Sequence, residues 1–418
     1  DYGEVQIKQL NGRSKMYYTP NKENNVFQLV VQYGAGEREF PKLGYAAQLM
    51  NNAGIMGAYE PQELKEELSK LNATCHVTAD DDNLYIIMEG YEATLPQACQ
   101  LLSRQILMPK LDEKQLARLK GSAMGMRQQR KDNVSILNEA LRQYMLYGEK
   151  SDYIKELTDK EIYELQISEL TGDINRASNY EAKVFFTGTL PFDQVYDILS
   201  KNLPLVANER PSNSPQAKDM MPVTENTVYF LPNNDAEQAQ IHLYIPMQKA
   251  DKKDDVLRSA FNQYFGLDFT GIVLNEIREK RSMAYTAYAF VGTQGIAGKA
   301  SYLRGYIGTQ NDKANDALDV LMGLVNDMPK NPERIDNIKS YLRQAMLTSH
   351  PSFRNKAMEL VDLGYRGYTD DPAKENLPKV DALTFDDIVK FYEENIKDKP
   401  YCISIMGNPK NIDLKRLE

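Results

Sequence analysis

The stretch Leu274-Asn275-Glu276-Ile277-Arg278-Glu279-Lys280-Arg281-Ser282-Met283-Ala284-Tyr285 is the most informative in this chain. Its pattern predicts a helix that ends here and runs directly into a strand. The junction contains an arginine, Arg278, and a tyrosine, Tyr285, seven residues apart. The charged run from Arg278 to Arg281 would by itself indicate only a solvated helix face, and tyrosine is common in this chain, with 26 residues. The pair gains meaning from the elements that surround it.

Elements of the same kind recur in the same order in the two halves of the chain, which indicates an internal repeat. In each half the pattern predicts a strand, a helix, a helix that runs into a strand, a further amphipathic helix and a final strand. The matched segments are 26–31 with 241–245, 43–52 with 256–264, 61–71 and 73–87 with 270–281 and 283–291, 95–106 with 314–328, and 183–187 with 401–406. Leu170-Thr171 and Leu383-Thr384 are each expected to open a helix, the second in a capping arrangement with Asp387.

The region between the repeats is polar, rich in proline, serine and asparagine, and without periodicity, so an exposed linker is predicted at 207–223. A chain of 418 residues is also too long for one compact core. We therefore expect two homologous domains, at 1–206 and 224–418. Strands interleaved with amphipathic helices predict an α+β fold, in which helices pack on one face of a mostly antiparallel sheet.

Composition and charge exclude several classes of protein. The shares of hydrophobic residues, 42%, and charged residues, 26%, are typical of a soluble globular protein, and no apolar run approaches the roughly 18 residues of a membrane span. A net charge of -9 argues against nucleic acid as a main partner. The glycines at 34–36 and 266–271 lack the phosphate-loop pattern.

Because Asp1 is not followed by a basic and then apolar leader, we expect a processed protein or an excised fragment.

Cysteine and histidine are too sparse to indicate a metal site or a nucleophile. The chain has three widely spaced cysteines without a C-x-x-C pair, namely Cys75, Cys99 and Cys402. They predict neither a disulfide framework nor a thiol cluster. His76 and His242 lie in alternating strand patterns, and His350 precedes a proline in a predicted loop. A histidine metal site would have to bring distant positions together, so none is expected.

The repeated elements and the stretch at 274–285 resemble the pitrilysin/insulinase family of zinc peptidases, which includes the mitochondrial processing peptidase. The resemblance covers nearly the whole chain. It implies two two-domain halves, fused or separate, that close like a clamshell around a peptide. It also implies a catalytic half with an inverted H-x-x-E-H motif on its first long helix, whose histidines bind zinc while the glutamate activates water.

This chain departs from the family at every position of the metal site. By the resemblance, the two histidines and the base correspond to Ala47, Asn51 and Met50, none of which is suited to the task. The third ligand would lie in the helix around 119–130, which contains no carboxylate. We therefore expect no metal and no cofactor in this chain, and zinc only in a partner half.

The second half departs less from the family. Non-catalytic halves carry a segment of the form L-x-x-x-R-E-K-x-x-L-A-Y, and Leu274 to Tyr285 matches it with Met283 in place of the second leucine. The resemblance implies that Arg278 and Tyr285 contact the substrate beside the zinc of the opposite half. A tyrosine hydroxyl can donate to the charge that develops on the scissile carbonyl, and a guanidinium can hold a neighbouring carbonyl.

Residues close to this stretch have other expected roles. Tyr288 and Phe290 fall on the strand face opposite to Tyr285 and are expected to pack. The segment Arg304 to Thr309 has the pattern of a strand followed by a turn and is a candidate for the chamber wall.

Two functions from different classes account for these features. The first is the inactive half of a zinc metalloendopeptidase, inactive alone, which acts on a peptide together with a zinc-bearing catalytic half from the same polypeptide or from a separate subunit. The second is a non-proteolytic scaffold or binding protein, in which Arg278 and Tyr285 are remnants. The family resemblance also makes the bacterial periplasm the expected compartment.

Overall fold

The computed structural model describes residues 2–206, 209–267 and 269–418, which form two compact units. The first unit comprises the chain up to 129 with 156–216 and 351–361, and the second comprises 130–155, 217–350 and 362–418. Each half of the sequence thus contributes one segment to the other unit. Residues 130–155 belong to the second unit, and residues 351–361 belong to the first. The predicted domains, 1–206 and 224–418, follow the sequence repeat, and their bounds differ from those of the compact units.

Each unit is built on a mostly antiparallel sheet. The strands are β1 Gln6–Asn11, β2 Ser14–Pro20, β3 Val26–Tyr33, β4 Gly54–Ile55, β5 Ala73–Ala79, β6 Leu84–Tyr91, β7 Pro109–Lys110, β8 Ala182–Gly188, β9 Thr227–Pro232, β10 Gln238–Lys249, β11 Thr286–Gly292, β12 Ala300–Gln310 and β13 Cys402–Gly407. The first sheet has the order β1-β2-β8-β3-β6-β5 and the second the order β11-β12-β10-β13-β9, while β4 and β7 form a separate small pair. One parallel pair occurs in each large sheet, β2 with β8 and β13 with β9.

Helices cover the sheets and contribute more buried apolar side chains than the strands do. They are α1 Leu43–Met50, α2 Pro61–Lys70, α3 Leu95–Leu107, α4 Glu113–Arg130, α5 Val134–Tyr147, α6 Asp152–Lys155, α7 Asp159–Tyr163, α8 Ile167–Ala177, α9 Phe192–Asn202, α10 Asp255–Phe265, α11 Ile272–Leu274, α12 Ala314–Asn326, α13 Ile335–Thr348, α14 Phe353–Tyr365, α15 Pro372–Ala382 and α16 Phe385–Asn395. Each unit has its own large apolar core between sheet and helices. The predicted α+β fold with mostly antiparallel sheets is confirmed.

The exchanged segments lie on the opposite face of each sheet. In the first unit, Val30 and Phe185 point away from the main core and pack against Ala357 of the segment 351–361. In the second unit, Tyr244 and Cys402 pack in the same way with Leu146 and other residues of α5. Successive residues of a strand point to opposite faces, so these buried side chains give each sheet a second apolar surface.

Two predicted elements differ from the observed ones. The strand predicted at 73–87 is a hairpin, because the polar run after Ala79 turns the chain and Asp80 accepts hydrogen bonds from the main-chain N–H groups of Asp82 and Asn83. Leu170-Thr171 does not open a helix, since it lies inside α8, which is capped instead by Gln166. The capping arrangement of Thr384 with Asp387 at the start of α16 is confirmed.

The segment predicted as an exposed linker makes specific contacts. Its first part bonds within the first unit, and its second part bonds within the second unit. Residues 207 and 208 lie outside the described residues. In the first unit Glu209 is buried, and Ser212 donates a main-chain hydrogen bond to the Glu181 carboxylate at 3.1 Å. In the second unit the Met221 N–H donates to the Leu146 carbonyl at 2.7 Å. Local polarity in the sequence does not reveal these long-range partners.

His242 occupies a buried position in the middle of β10, as the strand pattern predicts. Its Nε2 lies 3.1 Å from the Asn138 side-chain nitrogen, and the residue is 5% exposed. Burial, together with the nearby charges of Arg304 and Arg142, lowers the pKa of His242 from 6.5 to about 3. The ring is therefore neutral in the folded protein at any pH above that value.

This burial makes stability depend on pH. Between pH 6.5 and about 3 the unfolded chain takes up a proton at His242 that the folded chain does not. The free energy of unfolding should therefore fall as the pH falls, by up to about 1.4 kcal/mol per pH unit from this group. Urea unfolding at several pH values should show a shallower pH dependence for His242→Gln. The exposed His76 provides the control, and an equal slope for His76→Gln and His242→Gln would contradict the assignment.

Candidate functional site

The helix-to-strand junction predicted at 274–285 is present, with an unusual turn inside it. Helix α11 continues without a break into a π-helical turn, Asn275–Glu279, and β11 begins only at Thr286. The helix is shorter at both ends than predicted, and the strand begins three residues later. A π-helical turn holds one extra residue and often marks a functional position. Arg278 lies in this turn.

Buried contacts of the preceding segment fix the junction in place. Val273 and Ile277 are completely buried in the core of the second unit. Gly266, which ends α10, comes so close to this segment that a Cβ there would lie 2.9 Å from the Val273 Cβ atom. Its carbonyl accepts a hydrogen bond from the Ala289 N–H of β11 at 3.0 Å. The junction is thus supported by packed residues before it and by the hydrogen-bonded strand β11 after it.

The side chain of Asn262 ties helix α10 to strand β11. Its amide donates to the Val291 carbonyl at 3.0 Å and accepts from the Val291 N–H at 2.7 Å. An asparagine side chain can imitate a neighbouring strand in this way, because it offers one donor and one acceptor side by side. The sequence around Asn262 does not predict these two hydrogen bonds, because Val291 lies 29 residues further along the chain.

Arg278 points towards solvent, and its side chain contacts Glu279 and Phe269. Its side chain is 33% exposed, and Nε donates to the Glu279 carboxylate at 2.7 Å. The guanidinium carbon lies 5.7 Å from the centre of the Phe269 ring. Surface ion pairs of this kind contribute at most about 1 kcal/mol. A ligand that offers a carbonyl or carboxylate oxygen can therefore compete for the guanidinium at small cost.

Tyr285 is also exposed, at the end of the turn that leads into β11. The residue is 52% exposed, and its main-chain N–H donates to the Gly308 carbonyl of β12 at 2.8 Å. The turn before it is held by Lys313, which donates to the Ser282 carbonyl at 3.2 Å. Within the described ranges no hydrogen bond engages the Tyr285 hydroxyl, and none joins it to Arg278. Both side chains are available to a ligand from solvent.

The neighbouring aromatic residues pack on the other face of the sheet, as expected. The Tyr288 ring centre lies 5.4 Å from that of Tyr306 and 6.1 Å from that of Phe290. Arg304 lies over the Phe290 ring at 5.7 Å. The segment 304–309 is strand throughout, and the turn predicted within it begins only after Gln310.

The positions that the family resemblance assigns to metal ligands and base, Ala47, Met50 and Asn51, carry side chains that do not suit zinc. Ala47 and Met50 are buried in the core of the first unit. The Asn51 amide binds the main chain of Val77, donating to its carbonyl at 2.9 Å and accepting from its N–H at 2.8 Å. In the part of the chain that the structure describes, no three His, Cys, Asp or Glu residues lie close enough together to hold a metal ion. Helix α1 therefore serves to pack against the core of the first unit.

The cysteines are unsuited to nucleophilic chemistry. All three are free thiols, and Cys99 and Cys402 are buried. Burial raises the pKa of the Cys75 and Cys99 thiols to about 12. A thiol is reactive as its thiolate, so neither group is activated.

Part of the chain is similar to a known protein family. Residues 178–342 match the model of the peptidase M16 inactive domain. The matched range includes the clamp residue Asn262 and the junction with Arg278 and Tyr285. The resemblance to a non-catalytic half inferred from the sequence is confirmed over this range. No curated protein shows a significant match to the chain.

Known structures share the fold over almost all of the chain. A peptidase M16 inactive domain from Pseudomonas fluorescens is 17% identical, with a TM-score of 0.74, and the match covers 98% of this chain and 99% of that one. The periplasmic protease PqqL from Escherichia coli is 13% identical, with a TM-score of 0.75 over 97% of this chain and 45% of that one. The ferredoxin protease FusC, solved in complex with Arabidopsis ferredoxin, is also 13% identical, with a TM-score of 0.74 and the same coverage. The chain thus spans slightly less than half of each of these two proteases.

A bilayer-crossing helix is not found in the described ranges, where no helix is both long and apolar enough.

Proposed function

We propose, on the premise that residues 178–342 match the M16 inactive domain, that this chain is the non-catalytic half of a zinc metalloendopeptidase. The observation that carries the proposal is the junction with Arg278 and Tyr285, where both side chains face solvent on well-packed supports. The helix that would carry a metal motif has instead Ala47, Met50 and Asn51, which are engaged in packing and main-chain hydrogen bonds. Such a chain can contact a peptide but lacks its own metal and base.

The two site residues would act on different oxygens of the substrate. The Tyr285 hydroxyl would donate a hydrogen bond to the carbonyl oxygen of the scissile bond, where negative charge develops during hydrolysis. The Arg278 guanidinium would hold a neighbouring main-chain carbonyl and so fix the position of the peptide. The metal and the general base would come from the zinc-bearing half.

The zinc-bearing half would be either an upstream part of the same polypeptide or a separate subunit. The 45% coverage of PqqL and FusC supports the first form, and the near-complete coverage of the Pseudomonas fluorescens inactive domain supports the second. PqqL is a periplasmic protease, which supports a periplasmic location for this chain as well.

The test of the proposal is reconstitution with the zinc-bearing half. Neither component alone should cleave a fluorogenic peptide, and the mixture should cleave it. Arg278→Ala should raise KM about tenfold, because one charge-assisted hydrogen bond to the substrate is lost, whereas kcat should change less.

The matched control for this variant is Arg281→Ala, which removes a nearby arginine that pairs with Glu276. It should leave KM within about twofold of the unmodified chain. If the mixture is inactive although the halves associate, the chain is the scaffold or binding protein that the sequence left open, and Arg278 and Tyr285 are remnants.

A further inference from the structure

The edge of the first sheet has a groove that the proposed peptidase role does not use. Strand β5 is the last strand of this sheet, so within the described part of the chain one side of it has no neighbouring strand. Helix α2 runs beside it, and a cavity of about 620 Å³ lies between α2 and β5. Its lining combines apolar side chains, among them Met50, Leu64, Leu68 and Val77, with polar ones, among them Asn51, Lys65 and Gln105. Cavities of this size and character commonly bind ligands.

The main chain of β5 points free hydrogen-bonding groups into this groove. The Asn51 amide binds both the N–H and the C=O of Val77, which shows that these groups point away from β6. In a strand, the main-chain groups of alternate residues point to the same side. The N–H and C=O of Cys75 and Ala73 therefore face the groove as well. No hydrogen bond to them from elsewhere in the described residues occurs.

The second unit closes the equivalent edge with its own chain. There Asn262 binds Val291 in the same way as Asn51 binds Val77. Two residues earlier, at the place that corresponds to Cys75, the Ala289 N–H is bound by the Gly266 carbonyl. The buried Val273 fills the adjoining space. The same architecture thus has one closed edge and one open edge.

We propose that the groove between α2 and β5 binds an extended peptide, which adds to the first sheet as a further strand. Addition of a strand to a free edge beside a helix supplies affinity through main-chain hydrogen bonds and specificity through alternate side chains. Side chains of the added strand on the same face as Cys75 and Val77 would enter the groove, where Leu64 and Leu68 of α2 offer apolar contacts. Those on the face of Thr74 and His76 would remain in water, since both residues are exposed.

The ligand is therefore a segment in which apolar residues alternate with polar ones. The site lies in the first unit and uses none of the residues assigned to the peptidase role. Its binding can be measured on this chain alone, without a zinc-bearing half. Failure of the peptide-binding test and failure of reconstitution are thus separate results.

The test uses fluorescein-labelled peptides of about eight residues in which valine alternates with threonine. Fluorescence anisotropy with the complete chain should show saturable binding. Two further peptides carry N-methyl groups, one at every valine and the other at every threonine. An added strand uses the N–H groups of alternate residues only, so one of these peptides should bind and the other should lose at least about tenfold in affinity.

A pair of variants tests the receptor side of the same hydrogen bonds. Cys75→Pro removes the N–H that faces the groove, and proline is tolerated on an edge strand when its N–H position faces outward. It should bind the unmodified peptide about tenfold more weakly. Cys75→Ala keeps the main-chain N–H and should bind within about twofold of the unmodified chain. Circular dichroism establishes that both variants are folded.

Several outcomes would overturn the proposal. They are the absence of saturable binding up to about 1 mM peptide, equal binding or equal loss for the two N-methylated peptides, and unchanged affinity in folded Cys75→Pro. If Cys75→Pro does not fold, the comparison of the two N-methylated peptides on the unmodified chain decides the question alone.

Discussion

Tyr285→Phe should lower kcat of the reconstituted peptidase about 100-fold, with a much smaller change in KM. The substitution removes one hydroxyl from a side chain that is 52% exposed and has no hydrogen-bond partner within the described ranges. The folded chain therefore loses little when the hydroxyl is removed. A donor aimed at the developing oxyanion acts mainly in the transition state, and loss of one such donor costs about 10²–10³ in kcat.

The control for this prediction is Tyr341→Phe, which removes a hydroxyl from an equally exposed tyrosine of α13 in the same unit. Steady-state kinetics of the two variants with the same zinc-bearing half should separate them by about two orders of magnitude in kcat. Equal activities would remove Tyr285 from the mechanism while leaving the fold and the pairing of the halves untouched.

Asn262→Ala should destabilise the second unit by about 2 kcal/mol. It removes two hydrogen bonds to the main chain of Val291, each worth about 1 kcal/mol. Because the same region carries Gly266 and the junction with Arg278, loss of the clamp should also reduce activity in the reconstituted peptidase. Urea unfolding followed by circular dichroism gives the free-energy change.

A control asparagine lies in the same unit. Asn395 donates one hydrogen bond to a carbonyl of its own helix, and Asn395→Ala should cost no more than about 0.5 kcal/mol. Asn51→Ala, which removes the equivalent clamp of the first unit, should cost about as much as Asn262→Ala. A small effect of both clamp variants would show that water replaces the amide at the strand edge.

The sequence predicts most of the repeat because its signals are local. Apolar periodicity gives helices such as α3 and α12 to within a residue or two. The stretch at 274–285 likewise identifies the junction, since a helix pattern changes there to a strand pattern. The polar cap at Thr384 is equally local and is correct.

Features that depend on distant contacts could not be predicted in this way. The Asn51 and Asn262 clamps bind strands 26 and 29 residues away along the chain, and nothing near either asparagine marks it. The hairpin between β5 and β6 escapes prediction because its turn contains acidic residues and asparagine without glycine or proline. The π-helical turn at Arg278 also escapes prediction, because an extra residue in one turn leaves the apolar pattern almost unchanged.

The exchange of segments between the units has a consequence for how the protein is made. The first unit lacks the cover of Val30 and Phe185 until 351–361 has been synthesised. At ordinary rates of translation this delay is on the order of ten seconds. During that time an apolar sheet face is open to chaperones or to aggregation. A fragment that ends at the linker would leave this face exposed to solvent permanently. Residues 1–206 expressed alone should therefore aggregate.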